Sequence, residues 1–458
     1  MKVNSEIFRA YDIRGIVDEA LTEEGIFQIG RAIGSYIIAE GRSSILTARD
    51  GRISGPRLLN QFQKGVMSSG CNVVDIGEVP TPLLYFSTFK TNISDGVVLT
   101  GSHNPKNYNG LKIVINKKSM TSEKIKKIKS MIEEESFMDG MGKLTSLDVK
   151  EDYLKELKEK IKINSKMKVC LDCGNGVGGM IAPQAFQLLG LEVTELYSEV
   201  DGNFPNHHPD PSNPKNLEDL KKKVLETNSD LGIALDGDGD RVGLIDNKGN
   251  IIFPDTYMML LAEDLLRKNS EGSIVFDVKC STNLEKVIKN FNGTPIMSRT
   301  GHSYIKSKII ETNALLGGEM SGHIFFNDDW YGFDDAIYSA LRMIEILSKT
   351  ELTSHEVFNS YPKHFSTPEI NLKVSEENKF KIIDELKTLI NSSGYVLIDI
   401  DGIRLENENS WGLIRASNTS PNLVLRFEGK TESDLLEIKN YFKELLSKIE
   451  IDLKLDFS

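Results

Sequence analysis

Short runs of aliphatic and β-branched residues alternate along this chain with stretches whose apolar positions recur every three or four residues. That alternation predicts strand–helix units of the α/β class. Ile45-Leu46-Thr47-Ala48 and Gly96-Val97-Val98-Leu99 read as strands, and 24–40 reads as a helix between turn signals. A lysine- and glutamate-rich stretch at 122–135 reads as a helix with a solvated face, and glycines within 139–147 mark a boundary. A second unit opens on a strand at 167–171 and closes on strands at 231–235 and 242–245. The third starts at Phe253-Pro254-Asp255, where the aspartate is expected to cap the next helix. It continues through a strand at 274–278, helices near 282–290 and 303–311, and a long helix at 333–347. Tyr361-Pro362-Lys363 reads as a linker. After it, strand-like runs at 369–373, 396–400 and 411–415 and helical patterns at 376–390 and 432–446 predict a small α+β unit. The resulting division is 1–147, 148–250, 251–363 and 364–458, with no sequence-level repeat.

Length supports that division, since 458 residues are too many for one hydrophobic core. No apolar run reaches the roughly 18 residues of a membrane span. Met1-Lys2-Val3-Asn4-Ser5-Glu6 lacks the apolar stretch of a secretory signal, and four cysteines do not build a disulfide framework, so a cytoplasmic protein is expected. A net charge of −12 argues against a nucleic-acid partner. An anionic small molecule stays possible provided its site gathers its own Arg and Lys.

Two motifs carry chemistry. Asp236-Gly237-Asp238-Gly239-Asp240-Arg241 follows an apolar strand and sets three carboxylates at alternate positions. Glycines let such a backbone curl around an ion, and hard oxygen ligands without nearby Cys or His favour Mg²⁺ over Zn²⁺. A calcium EF-hand is excluded, because Arg241 and Asn247 stand where it needs glycine and glutamate. A phosphatase with Asp236 as nucleophile and Asp238 as acid fits the same spacing and stays open. The second motif is Thr100-Gly101-Ser102-His103-Asn104-Pro105, after the strand at 96–99. It should expose Ser102 at the carboxyl end of a strand, where α/β folds place ligands. His103 beside it can shuttle a proton, and Lys112 adds positive charge. An isolated serine is a weak nucleophile, but a phosphoserine held on a cation is a phosphoryl donor. The base that takes the acceptor's proton lies among His103, Lys112 and His302.

Other loops supply cations and sugar-facing groups. Arg415-Ala416-Ser417-Asn418-Thr419-Ser420-Pro421, with Arg426 on the following strand, suits a phosphate dianion. Gly318-Glu319-Met320-Ser321-Gly322-His323 offers acceptors and donors for hydroxyls; Arg299-Thr300-Gly301-His302 and Lys279 add charge nearby. Phe8-Arg9-Ala10-Tyr11-Asp12-Ile13-Arg14-Gly15 packs arginines and a tyrosine into a turn. Gly174-Asn175-Gly176-Val177-Gly178-Gly179 matches a dinucleotide fingerprint, with Glu195 downstream, but close packing explains the glycines better. Cys170 and Cys173 lack a second pair, which argues against zinc.

Taken in this order, FRAYDIRG at 8–15, TGSHNP at 100–105, DGNFPNHHPDP at 201–211, DGDGDR at 236–241, GEMSGH at 318–323 and RASNTSP at 415–421 resemble the α-D-phosphohexomutases, in particular the bacterial phosphomannomutase/phosphoglucomutase group. The resemblance covers nearly the whole chain. It implies three similar mixed α/β domains plus a C-terminal α+β domain like the TATA-binding protein, around a central cleft. It implies interconversion of hexose 1- and 6-phosphates, mannose or glucose, through phospho-Ser102, with a hexose 1,6-bisphosphate as intermediate and activator. Mg²⁺ would sit on the Ser102 phosphate, Asp236, Asp238 and Asp240, with Arg241 spreading charge. Glu319, Ser321 and His323 would meet the sugar, and Arg415, Ser417, Asn418 and Thr419 the distal phosphate. Tyr11, Arg14, Lys112, Lys279, Thr300, Gly301, His302 and Arg426 would line the substrate or move protons. Phosphoglucosamine mutases typically carry Gln at position 320 and DGDADR in the metal loop, and this chain departs from both. The expected partner is a phosphosugar, without nucleic acid or membrane. The oligomeric state is left open, a monomer among the possibilities.

Overall fold

The computed structural model describes residues 3–9, 12–390, 394–417 and 420–449. Its strands form four sheets, and the first three share one construction. In the first, Ser44–Arg49 runs parallel to Asn72–Glu78 on one side and to Gly96–Leu99 on the other. Gly96–Leu99 then turns back into Tyr108–Ile115, which pairs with it antiparallel, and Ile13–Ile16 closes that edge. In the second, Leu231–Leu235 lies parallel to Lys168–Asp172 and turns back into Val242–Asp246. In the third, Leu316–Gly318 lies parallel to Ser273–Asp277 and turns back into Ile324–Phe326. The fourth sheet is antiparallel throughout, with Ser410–Ala416 and Asn422–Gly429 as its central hairpin.

This construction positions the motifs. Ser102, the triplet Asp236–Asp240 and the loop at 319–323 each lie where the last parallel strand ends and folds back. Carboxyl ends of parallel strands are where open α/β sheets bind ligands. Arg415 and Ser417 occupy the corresponding hairpin of the last sheet. The repeat thus exists in the backbone although the sequence does not show it.

Most predicted elements are present with small shifts. The helix expected at 24–40 is Glu23–Ala39, capped by Thr22, and that at 432–446 is Glu432–Ser447 with a Thr431 capping box. Two expectations are corrected. Asp255 does not cap its helix; Phe253 is the cap, Pro254 follows, and the Asp255 carboxylate accepts from Ser281 N and Arg426 Nη2, each at 3.1 Å. The long helix begins at Ala336 rather than 333, because Asp335 adopts extended backbone and caps it through Tyr338 N.

One hydrophobic cluster links the first three units, and the first unit has a second core of its own, built on Ile26, Ile33, Phe62, Val97 and Ile113. At the centre of the linking cluster Trp330 stacks on Tyr338 with centroids 4.3 Å apart, and Phe86 and Tyr153 pack around them. The last unit has a separate core, built on Ile382, Leu405, Leu425 and Phe442. It meets the third unit through a small apolar patch of Val278, Trp411 and Leu413. Among the described residues, no helix is long and apolar enough to cross a membrane.

Candidate active site

Asp236, Asp238 and Asp240 are fully buried, with carboxylate oxygens within 4.8 Å of one another. Asp236 Oδ1 accepts the amides of Asp240 and Arg241 at 3.0 and 3.1 Å, so the loop ties itself shut. Asp238 Oδ2 accepts from Thr81 Oγ1 at 2.6 Å and Lys112 Nζ at 2.7 Å, and Lys112 also bonds Asp240. The remaining oxygens, Oδ1 of Asp238 and Oδ1 of Asp240, are buried without a hydrogen-bond partner. Such orphaned acceptors are costly unless something else fills them. Clustered, hard and anionic, they fit a divalent cation of the Mg²⁺ type. Burial, then the neighbouring carboxylates, push Asp236 well above the usual carboxylate range. Burial also acts to raise Asp238, but Lys112 overrides it and holds that carboxyl far below. Gly239 adopts φ +75°, which fits the expected curl. Gly237 serves a different end: a Cβ there would stand 2.6 Å from the carbonyl oxygen of Ser102. Only glycine lets the two loops touch.

Ser102 itself has φ 47°, a left-handed conformation that costs a non-glycine residue about 1 kcal/mol or more. Its Oγ donates to Asp236 Oδ2 at 2.8 Å, and His103 Nδ1 lies 3.2 Å from the Ser102 Oγ. Burial and the nearby guanidinium groups of Arg241 and Arg14 hold the His103 imidazole well below its ordinary range. Two residues outside the sequence motifs hold this loop. Arg52, 1% exposed, donates to the carbonyls of Ser102, Asn104, Pro105 and Tyr108 and to Asp50. Asp50 Oδ2 accepts from Thr100 Oγ1 at 2.8 Å and Gly101 N at 3.0 Å. The available signal was Arg49-Asp50-Gly51-Arg52, charges placed directly after a buried strand.

In the third unit, Glu319 accepts from Gly301 N, and burial raises its carboxyl. Ser321 Oγ is buried with no partner. Val242 N donates to Gly322 O at 3.0 Å, which stitches this hairpin to the metal loop. Arg241 Nε donates to His323 Nε2 at 3.0 Å. His302 and His323 lie with ring centroids 5.6 Å apart, and burial pushes His302 well down. Asp277 accepts from Thr300 Oγ1 at 3.1 Å, and Lys279 pairs with Glu369 at 2.9 Å. Asp401 joins the last two units, accepting from Thr300 N at 3.0 Å and Arg415 Nε at 2.8 Å. Neither Asp277 nor Asp401 belongs to a motif. Ser417 O accepts from Lys379 Nζ at 2.7 Å. Arg14 bonds Asp12 at 2.5 Å. Tyr11, Asn418 and Thr419 lie outside the described residues. Arg426 is not grouped with the loop: its guanidinium is buried against Lys279 O and Asp255.

The glycine-rich turn packs, as expected. A Cβ on Gly176 would stand 2.8 Å from Gly237 O, and one on Gly179 2.0 Å from Ser198 O. The turn therefore braces the metal loop. Cys170 and Cys173 are buried and belong to no metal-ligating group among the described residues.

Comparison with known proteins agrees along the whole chain. The profiles of phosphoglucomutase/phosphomannomutase α/β/α domains I, II and III match residues 5–139, 151–249 and 253–365, and that of the C-terminal domain matches 369–445. A phosphomannomutase/phosphoglucomutase of Pseudomonas aeruginosa is 49% identical over 453 residues, covering 99% of this chain and 98% of that protein. A phosphoglucomutase of Neisseria meningitidis is 45% identical over 445 residues, 96% of each. The crystal structure of a phosphoglucomutase/phosphomannomutase family protein from Burkholderia thailandensis superposes with a TM-score of 0.94 at 41% identity, covering 99% of this chain and all of that one. With four domain matches in order and near-half identity from end to end, this chain belongs to the phosphoglucomutase/phosphomannomutase family.

Proposed function

We propose that this hexose-phosphate mutase interconverts hexose 1-phosphate and hexose 6-phosphate, with mannose and glucose as its sugars, through phospho-Ser102 and a bound 1,6-bisphosphate that also serves as activator. One observation carries the reading: Ser102 Oγ sits 2.8 Å from Asp236, beside Asp238 and Asp240 oxygens that lack donors. Mg²⁺ on Asp236, Asp238, Asp240 and the serine phosphate would neutralise charge on the transferring group. The free sugar hydroxyl forms the new O–P bond as the bond to Ser102 Oγ breaks, and its proton must pass to a base. His103 and His302, both held neutral by burial, suit that role. Lys112, its ammonium favoured by the three aspartates against burial, serves as a fixed charge instead. The half-buried Arg241 spreads charge on the phosphoryl group, which is most of what this chemistry demands.

The bisphosphate then turns end for end, and Ser102 takes back the other phosphate. Arg415 and Ser417, with Asn418 and Thr419, grip the phosphate that is not reacting, while Lys279, Thr300, Gly301, Glu319, Ser321 and His323 face the sugar. Ser321 Oγ supports this, as a buried hydroxyl awaiting a partner. Tyr11 and Arg14 are further substrate contacts in this reading. Arg426 is assigned to docking. The division into 1–147, 148–250, 251–363 and 364–458 then gives each unit one loop of the site. A phosphatase with Asp236 as nucleophile is disfavoured, since Ser102 Oγ stands 2.8 Å from Asp236 Oδ2, where a phosphate would have to approach that carboxylate. Phosphoglucosamine is disfavoured by Met320 and Gly239. Ser102→Ala should abolish mutase turnover, in a coupled assay, while calorimetry still detects sugar-phosphate binding. Full activity in that variant rejects the mechanism.

A further inference from the structure

Two buried aspartates occupy the same place in the first and third units. Asp50 directly follows Arg49, which pairs with Leu99, and Asp277 directly follows Phe276, which pairs with Gly318. In both units the neighbouring parallel strand ends at that partner and the site loop begins. Asp50 Oδ2 accepts from Gly101 N at 3.0 Å, and Asp277 Oδ1 accepts from Met320 N at 3.3 Å. Gly101 and Met320 each stand second in their loops, so the two bonds are equivalent. Each carboxylate also takes a threonine hydroxyl. Thr100 Oγ1 reaches Asp50 Oδ2 at 2.8 Å, and Thr300 Oγ1 reaches Asp277 Oδ2 at 3.1 Å. Cys280 Sγ at 3.3 Å and Lys279 Nζ at 3.8 Å also face Asp277, which is fully buried. The second unit departs from this pattern: Asp172 accepts from Gly174 N and faces His207.

We propose that Asp277 is a positioning residue for substrate recognition, fixing the loops at 299–302 and 319–323 against each other as Asp50 fixes the serine loop. Its strand, Ser273–Asp277, has a parallel neighbour on each side, so its carboxyl end reaches the loops that leave both. Thr300 N in turn donates to Asp401, which holds Arg415, so the same carboxylate ties the sugar loop to the phosphate loop of the last unit. Removing a buried acceptor strands the donors aimed at it, and an unpaired donor is costly out of water. Met320 N and Thr300 Oγ1 would then turn elsewhere and carry Glu319 and Ser321 with them. Those groups hold the sugar in the ground state and the transition state alike, so their displacement is felt in KM more than in kcat. The inference rests on the proposed reading of 319–323 as the sugar loop.

Asp277→Ala and Asp277→Asn test it together. Alanine removes both acceptors. Asparagine keeps an oxygen for Met320 N and offers its NH₂ to Thr300 Oγ1, which can accept. KM for glucose 1-phosphate should rise about tenfold or more in Asp277→Ala, with kcat within about threefold of the wild type. In Asp277→Asn it should return to within about threefold. Asp50→Ala should show the opposite split, a fall in kcat at nearly constant KM, which a general loss of stability would not produce. An unchanged KM in Asp277→Ala overturns the proposal. So does an asparagine variant as impaired as the alanine one, or the same kinetic pattern in both alanine variants. If Asp277→Ala does not fold, exchange of the Met320 amide in the wild-type enzyme decides, followed in ¹H–¹⁵N spectra. It should be slowed at least about tenfold against an unstructured peptide, and exchange at the free rate overturns the proposal. Failure of the sugar-loop reading would appear separately, as an unchanged KM in Ser321→Ala.

Discussion

Arg52 shows how far a reactive serine depends on a side chain that never meets substrate. Its buried guanidinium answers four carbonyls of the serine loop and the Asp50 carboxylate. The left-handed backbone at Ser102 persists because these contacts over-determine it. Arg52→Lys keeps the charge but offers one compact ammonium to acceptors arranged around a planar fork. Removing a buried ionic partner typically costs about 3–5 kcal/mol. We therefore expect Arg52→Lys to lower kcat by about a hundredfold or more, with thermal stability also reduced. Steady-state kinetics and a melting curve measure both. A lysine variant with wild-type kcat would show that the serine loop holds its shape unaided.

At the level of elements, each hairpin loop of the site was legible because it combines a buried strand with a cluster of functional groups. Ser102, Asp236–Asp240 and Arg415 announce themselves by residue type and spacing. Asp50, Asp277 and Asp401 do not, since their importance comes from partners distant in sequence. The helix Thr81–Lys90, whose first residue holds Asp238, left no amphipathic trace because most of its positions are buried all round. Asp335 is similar: its neighbour in sequence, Asp334, looks equivalent, yet only Asp335 caps the helix Ala336–Leu347. Burial raises its carboxyl to about 7 despite bonds from Tyr338 N and Tyr153 OH. The raised value means the native state binds the proton more tightly than the unfolded chain does. Its stabilising effect is complete below the ordinary carboxylate range and is lost as pH rises through about 7. Between about pH 5.5 and pH 8 the wild type should lose about 2 kcal/mol relative to Asp335→Asn, at about 1.4 kcal/mol per pH unit below that pKa. Denaturant titrations at the two pH values measure this, and a constant difference between the proteins would refute it.

Across the whole molecule the core is divided unequally. One apolar cluster runs through all of the first three units, beside a separate core of the first, whereas the last is fastened to the third by polar groups around Trp411. Arg404 lies over the Trp411 ring at 3.8 Å and donates to Cys280 O at 2.9 Å. Glu428 accepts from Trp411 Nε1 at 2.9 Å and from Ser281 Oγ and His364 Nδ1, each at 3.0 Å. Burial works to raise the Glu428 carboxyl, but His364, Arg426 and these donors bring it down to about 2. A depressed value stabilises the docked form above the ordinary glutamate pKa, and that contribution is lost as pH falls toward 2. The difference amounts to about 3 kcal/mol. Glu428→Leu removes it at every pH and leaves Arg426 without that counter-charge. Calorimetry of this variant near pH 7 should resolve two transitions, the smaller from the last unit, where the wild type shows one until it is acidified below about pH 4. Because Arg415 travels with that unit and is joined to Thr300 through Asp401, KM for hexose phosphate should rise about three- to tenfold while Ser102 remains phosphorylated. A single transition at neutral pH with unchanged KM would mean that the apolar patch alone holds the last unit in place.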